Sequence, residues 1–394
     1  MDSPEIFREQ ARAWLDEHAP RHEVSDIAEA KAFQAARFDA GFGAITWPER
    51  YGGLGKTVAH EQAYAEEASR YRIPNEPFGV GMGMCGPIIL QLGTDAQRDR
   101  HLRKLLRGDE IWCQLFSEPG AGSDVAGLQT RAVHDDEGWL ISGQKVWTSR
   151  AQFADFGILL ARTDPTVPKH QGITMFIVDM HADGVDVRPL KDMSGGAYFN
   201  EVYFDSVRVR DDVVVGQVND GWNAAVAMLR FERIAIGTSL KAKANPLSGE
   251  KLAELARTCG KIGDPRLRSE LASHVIEERA TRAFGALLQD MKKSGVDPGA
   301  LGSVAKLAGG ELARRASDLA VRIGGLQSAG WLDGDRESAE LSRAIDATPS
   351  SSIAGGTNEI QRNIIGERVL GLPKDPSADR GVPFRDLKVG TRRD

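Results

Sequence analysis

The stretch IWCQLFSEPGAGSD (111–124) marks the point where the chain changes its hydrophobic period. Upstream, apolar residues recur at helical spacing, with Ile6, Ala13 and Leu15 in the first segment and Pro20 closing it. Segments 59–72 and 87–107 return to that pattern around a turn-rich connector, GFGAITWPERYGGLG (41–55). From Cys113 to about residue 217 the period is close to two, as in Trp139/Ile141, Ile173/Met175/Ile177 and Val202/Phe204. Asp135–Gly138 and Asp183-Gly184 supply the turns between these strands. From Gly221 helices return, and Leu267, Leu271, Val275, Ala280, Phe284, Leu287 and Met291 trace one face of a long one. The expected division is a helical domain (1–112), a β-domain (113–218), a second helical domain (219–375) and a loosely held polar tail (376–394).

A chain of 394 residues has room for two or three domains at about 150 residues each. Its 50 basic and 56 acidic side chains leave a net charge of −6, without the bulk basic footprint of a nucleic-acid binder. The three cysteines, Cys85, Cys113 and Cys259, have neither metal nor redox spacing. The first residues are charged throughout, and no apolar run reaches the ~18 residues of a membrane span. A soluble, cytoplasmic enzyme is the expectation.

GMGMCG (81–86) matches G-x-G-x-x-G, but the preceding RIPNEPFGV has two prolines and is a poor strand, so a dinucleotide fingerprint is not expected. His18 and His22 flank Pro20 with no third ligand nearby, so no metal site is expected. Neither a G-x-S-x-G elbow nor a Walker A sequence occurs. Three segments carry more chemistry. Gly120-Ala121-Gly122-Ser123 can present backbone N–H groups to an anion such as pyrophosphate, or it is an ordinary glycine-rich turn. In GQKVWTSRAQF (143–153), Trp147 beside Thr148 and Ser149 offers a flat wall and two hydroxyls to an aromatic ring, or it is a core tryptophan. In IAGGTNEIQRNIIGERVLGLPK (353–374), Thr357 reads as the N-cap of a helix behind two glycines.

Together these segments resemble the acyl-CoA dehydrogenase family over about residues 40–375, with a weaker fit at 235–320. The resemblance implies an α+β multidomain fold: an N-terminal helical domain, a middle β-barrel domain and a C-terminal four-helix bundle. It implies FAD as cofactor and oxidation of an acyl-CoA thioester to the trans-2-enoyl-CoA. Gln114, Phe116 and Ser117 would line the isoalloxazine ring, and Ser123 would lie near the cofactor and the CoA phosphates. Trp147 and Ser149 would sit near flavin N5, and Thr357 and Glu359 would reach the cofactor from the last helices. Gly324-Gly325 resembles the family's Gly-Gly near the adenine, with the register open by one residue.

Removal of a thioester α-proton needs a positioned base, with hydrogen bonds stabilising the developing enolate. Many family members place a glutamate just before Gly-Thr ahead of the last helix, where this chain has Gly355 followed by Gly356 and Thr357. A smaller set places it on another helix directly before an arginine. Here that position reads MLRFERIAIG (228–237), which implies Glu232 as base and Arg233, with Ser123 and Gly356, on the substrate. The family's Arg-x-x-Phe-Gly is missing from 255–274, and Arg150 stands where small residues are usual. The missing motif resembles a bacterial subgroup in which two related chains form an α2β2 heterotetramer, some acting on steroid side chains. A homodimer or homotetramer is the other assembly, and electron-transferring flavoprotein is the implied acceptor. Two rival readings keep the fold: a flavin monooxygenase or oxidase, and a non-catalytic subunit completing another chain's site.

Overall fold

The computed structural model describes residues 3–239, 245–328, 330–331, 334–374, 376 and 379–387, without the side chains of 232–239, Lys292 and Gln327. The chain packs into two compact bodies, the first comprising Met1–Asp192, Ala197–Ala235 and Pro376–Asp394, the second Met193–Gly196 and Ile236–Asp375.

The first body opens with α1 (Pro4–His18), α2 (Ile27–Asp39), α3 (Val58–Ala68), α4 (Gly86–Leu92) and α5 (Asp95–Arg107). Ser3 caps α1 and Pro4 pre-sets its first turn. Its buried stripe is Phe7, Ala11 and Leu15, whereas Ile6 is exposed. The expected Ile6–Ala13 phase is therefore replaced by one that meets Phe42, Ile45 and Tyr64. The expected helix over 87–107 divides because Thr94 and Gln97 form a capping box that starts α5 afresh. GMGMC (81–85) is a π-helical turn. A Cβ on Gly86 would come within 2.9 Å of the Trp47 ring, so this glycine serves close helix packing.

The strands are β1 (Trp112–Leu115), β2 (Arg131–Asp135), β3 (Gly138–Ser149), β4 (Phe156–Arg162), β5 (Ile173–Asp179), β6 (Val185–Leu190), β7 (Phe199–Val209) and β8 (Val214–Val215). They form an eight-stranded sheet in the order β6-β7-β3-β2-β4-β5-β8, with β1 pairing in parallel to β4. β4 and β5 are buried almost throughout, as befits central strands read as continuous apolar runs. Then α6 (Gly221–Ser239) contributes Ala224, Ala225 and Met228 to a core shared with Ile88, Leu105 and Trp112.

The polar tail differs from expectation over Asp379–Leu387. Phe384 and Arg385 donate their backbone N–H groups to Val167 and Pro165 at 2.9 Å each, and Lys169 pairs with Asp379 at 3.1 Å. Phe384 is buried and anchors the segment.

In the second body, α7 (Gly249–Thr258), α8 (Pro265–Lys293), α10 (Arg336–Ser351) and α11 (Asn358–Ile364) all pack on α9 (Leu301–Gly324). Leu252, Leu267, Leu271, Leu319 and Ile323 form the centre of its core. The expected α8 stripe holds at Leu267 and Leu271, but further along Leu288 is buried and Leu287 is exposed.

Candidate active site

The 116–123 loop is built as a tight turn. Glu118 and Ala121 exchange backbone hydrogen bonds of 3.0 Å, which leaves Gly122 and Ser123 at the surface. Beneath the turn lies an ion pair that no sequence pattern announced. Lys145 Nζ, wholly buried, donates to Glu118 Oε1 at 2.8 Å and to the Phe116 carbonyl at 3.1 Å. The Glu118 carboxylate also accepts the backbone N–H groups of Gln129 (2.6 Å) and Thr130 (2.9 Å).

Burial pushes the Glu118 carboxyl up, but the Lys145 charge and these hydrogen bonds outweigh it and hold its pKa below the usual range. Burial pushes Lys145 down, opposed by Glu118. A carboxyl whose folded pKa is lowered stabilises the fold above its unfolded value of about 4.5 and loses that contribution as pH falls through the folded value. The difference in urea midpoint between wild type and Glu118→Gln should therefore be constant near neutrality and shrink below about pH 4.5. A constant difference down to acid unfolding would contradict the assignment.

The second segment runs beside the first. Val146 donates its N–H to the Ser117 carbonyl at 2.9 Å, which lays 116–118 along 145–149. Between Lys145 and Thr148 the register of β3 against β7 shifts by a bulge. Trp147 occupies the bulge at φ 59°, a left-handed conformation rare for a bulky residue. Its side chain is 60% exposed and touches Phe199 edge-on at 5.8 Å. Trp147 is thus a surface wall and not a core tryptophan. Next to it, Thr148 is buried and its Oγ1 has no hydrogen-bond partner among the described residues. A buried hydroxyl without a partner carries a free-energy cost that a ligand can relieve.

Ser117, Ser149 and Gln114 are half-buried, and Phe116 is buried in the core with Trp112 and Ile158. Arg150, the unusual residue after Trp-Thr-Ser, lies over the Tyr198 ring at 4.9 Å and pairs with Glu76.

A cavity of about 500 Å³ in the first body is lined by Trp47, Met82, Pro87, Leu90 and Phe231. Phe231 immediately precedes Glu232 on α6. The side chains of Glu232 and Arg233 lie outside the described residues.

In the second body, Thr357 Oγ1 caps α11 by accepting Ile360 N–H at 3.2 Å, as expected. Gly355 and Gly356 have φ of 67° and 88°, a turn that disfavours any side chain at either position. Gln361 Nε2 braces it by donating to the Gly355 and Gly356 carbonyls at 2.9 and 3.2 Å. Glu359 is exposed and faces Arg362 at 3.6 Å. Gly325, at φ 59°, ends α9.

Comparison with known proteins agrees with this architecture. The model of the acyl-CoA dehydrogenase N-terminal domain matches residues 2–109, that of the middle domain 113–207 and that of the C-terminal domain 219–370. The chain belongs to the acyl-CoA dehydrogenase family and is an enzyme of that class. It is 37% identical over 389 residues to acyl-CoA dehydrogenase IpdE1 of Mycobacterium tuberculosis, covering 95% of this chain and 99% of that one. It is 39% identical over 353 residues to FadE34 of the same organism, covering 89% of this chain and 47% of that one. Among solved structures, the Tcur3481-Tcur3483 steroid ACAD superposes with TM-score 0.80 at 27% identity, covering 94% of this chain and 98% of that chain. The ChsE4-ChsE5 complex from Mycobacterium tuberculosis does so with TM-score 0.74 at 28% identity, covering 95% of this chain and 99% of that chain.

Proposed function

We propose that the chain binds FAD and converts an acyl-CoA thioester to the trans-2-enoyl-CoA, with Glu232 as the base. The observation that carries the reading is Trp147, held open to solvent at φ 59° beside the unpartnered Thr148 Oγ1 and the 116–123 loop. A flat aromatic wall, a buried hydroxyl seeking a partner and exposed backbone beside a turn fit a ring system that carries a diphosphate. Gln114, Ser117, Trp147 and Ser149 would hold the ring end of FAD, with Phe116 packed behind them. Ser123, Thr357 and Glu359 would serve its remainder. When bound, FAD would accept the hydride that leaves the substrate β-carbon.

The chain's own task is the α-proton. Glu232 would take it onto a carboxylate oxygen, and Arg233, Ser123 and Gly356 would orient the thioester. The cavity next to Phe231 supports an apolar acyl group, and Gly355 leaves that position free of a carboxylate. The acyl group we favour is bulky and alicyclic, in line with the steroid ACAD among its structural relatives. Trp147→Ala should weaken FAD binding about tenfold without unfolding the chain, as read by FAD titration. Unchanged affinity would sink the placement of the ring.

We further propose assembly with a related chain, as in the heteromeric ChsE4-ChsE5 relative. Ile276, Leu287, Ile353 and Leu370 are exposed on the second body and are apolar surface that a partner chain would cover. Native mass and FAD per chain, measured for the chain alone and with its partner, separate this from a homodimer or homotetramer. The proposal includes electron-transferring flavoprotein as acceptor and a cytoplasmic reaction, both carried from the sequence reading. Among the described residues no helix is long and apolar enough to cross a membrane.

A further inference from the structure

Two of the four non-glycine residues with positive φ among the described residues are Trp147 and Arg150, both at 59°. A bulky residue in that region is strained and stays there only where its surroundings over-determine the backbone. Upstream of Trp147 the backbone is held by the buried Lys145 and by the Val146 N–H on the Ser117 carbonyl at 2.9 Å. Downstream the anchor is Asn200 on β7.

Thr148 and Asn200 face each other in the register of β3 against β7, at the point where the bulge ends. Asn200 is wholly buried. Its Nδ2 donates to the Thr148 carbonyl at 3.0 Å and to Gln152 Oε1 at 2.6 Å. Gln152 Nε2 donates in turn to the Ala197 carbonyl at 3.0 Å, and the Arg150 N–H donates to the Tyr198 carbonyl at 2.8 Å. These bonds tie residues 148–152, directly after Trp147, to residues 197–200. Phe199, next to Asn200, is the ring that meets the Trp147 indole edge-on at 5.8 Å. Asn200 Oδ1 is buried with no partner among the described residues. A buried amide with an idle oxygen carries a cost in stability that an apolar side chain would not. What Asn200 contributes is geometry, through the two acceptors that its Nδ2 holds in place.

We propose that Asn200 is a positioning residue for the flavin: through Thr148 and Gln152 it holds Trp147 in the left-handed, outward conformation that makes it a wall for the ring. Being wholly buried, Asn200 acts on the ring only through Trp147. The proposal rests on the placement of the FAD ring against Trp147, and two measurements separate its failure from the failure of that placement.

The first is fluorine NMR of the full chain labelled with fluorotryptophan, in saturating FAD, with the Trp147 line identified by its loss in Trp147→Ala. Asn200→Leu, similar in size but without a donor, should shift or broaden that line. An unmoved line would overturn the proposal and leave the FAD reading untouched. The second is a double-variant cycle read by FAD titration. Asn200→Leu should weaken FAD binding about tenfold, as Trp147→Ala does, and the two together should also lose about tenfold and not about a hundredfold. Additive losses would show that Asn200 acts apart from Trp147 and would overturn the proposal. Wild-type affinity in Trp147→Ala would remove the ring placement, and the flavin role of Asn200 with it. Should Asn200→Leu fail to fold, Gln152→Met, at a half-buried position, removes one of the two acceptors and enters the same two measurements with the same expected directions.

Discussion

Glu232→Gln is expected to fold, to bind FAD as the wild type does, and to slow reduction of the flavin by substrate about a hundredfold to ten-thousandfold, the range supplied by a positioned general base. Glutamine preserves the shape and polarity of the side chain but cannot accept the α-proton. Two features of the chain point to Glu232. The alternative carboxylate position is Gly355, whose φ of 67° disfavours a side chain. Phe231, its neighbour on α6, borders the apolar cavity of the first body. Anaerobic stopped-flow reduction of the bound flavin by acyl-CoA checks this, and bleaching at the wild-type rate would remove Glu232 from the mechanism.

Lys145→Met is expected to cost about 3–5 kcal/mol of stability, because it leaves the Glu118 carboxylate buried without its cation. Methionine is of similar length and fills the same space, so the loss reports charge and not volume. The Phe116 carbonyl loses its donor in the same step. Adding Glu118→Gln should recover part of the loss, since it removes the unpaired buried charge, while its single amide oxygen can still accept one of the Gln129 and Thr130 N–H groups, which reach different oxygens of Glu118. Urea unfolding of the single and double variants measures this. A loss below about 1 kcal/mol in Lys145→Met would contradict a buried, ionised pair. Because the pair pins the loop that follows Phe116, the single variant should also retain less FAD.

The order of helices, strands and helices was legible from the change of period near Cys113 and Gly221, because strand and helix spacing differ wherever one face is buried. What periodicity could not reveal was partner-dependent. In α1 both Ile6 and Phe7 start an apolar stripe, and only the packing against Phe42 and Tyr64 selects Phe7. Nothing in the spacing marks Lys145 as buried, because its partner Glu118 lies 27 residues earlier. Trp147 reads from its residues alone as either an open wall or a core ring, and the bulge in β3 that turns it outward leaves little trace in an alternating pattern. The docking of the tail rests on a single apolar anchor, Phe384, in an otherwise polar segment. The candidate site segments stand out in the sequence because glycine, proline and hydroxyl residues cluster in them.

The central claim is that this chain dehydrogenates an acyl-CoA thioester at a flavin. It is tested most directly by mixing the FAD-loaded protein, with its partner chain where one is required, with acyl-CoA thioesters of graded size under anaerobic conditions. The prediction is bleaching of the flavin with stoichiometric formation of the trans-2-enoyl-CoA, fastest with bulky alicyclic acyl groups. A flavin that stays oxidised with every thioester, or a product that forms only when oxygen is admitted, would contradict it.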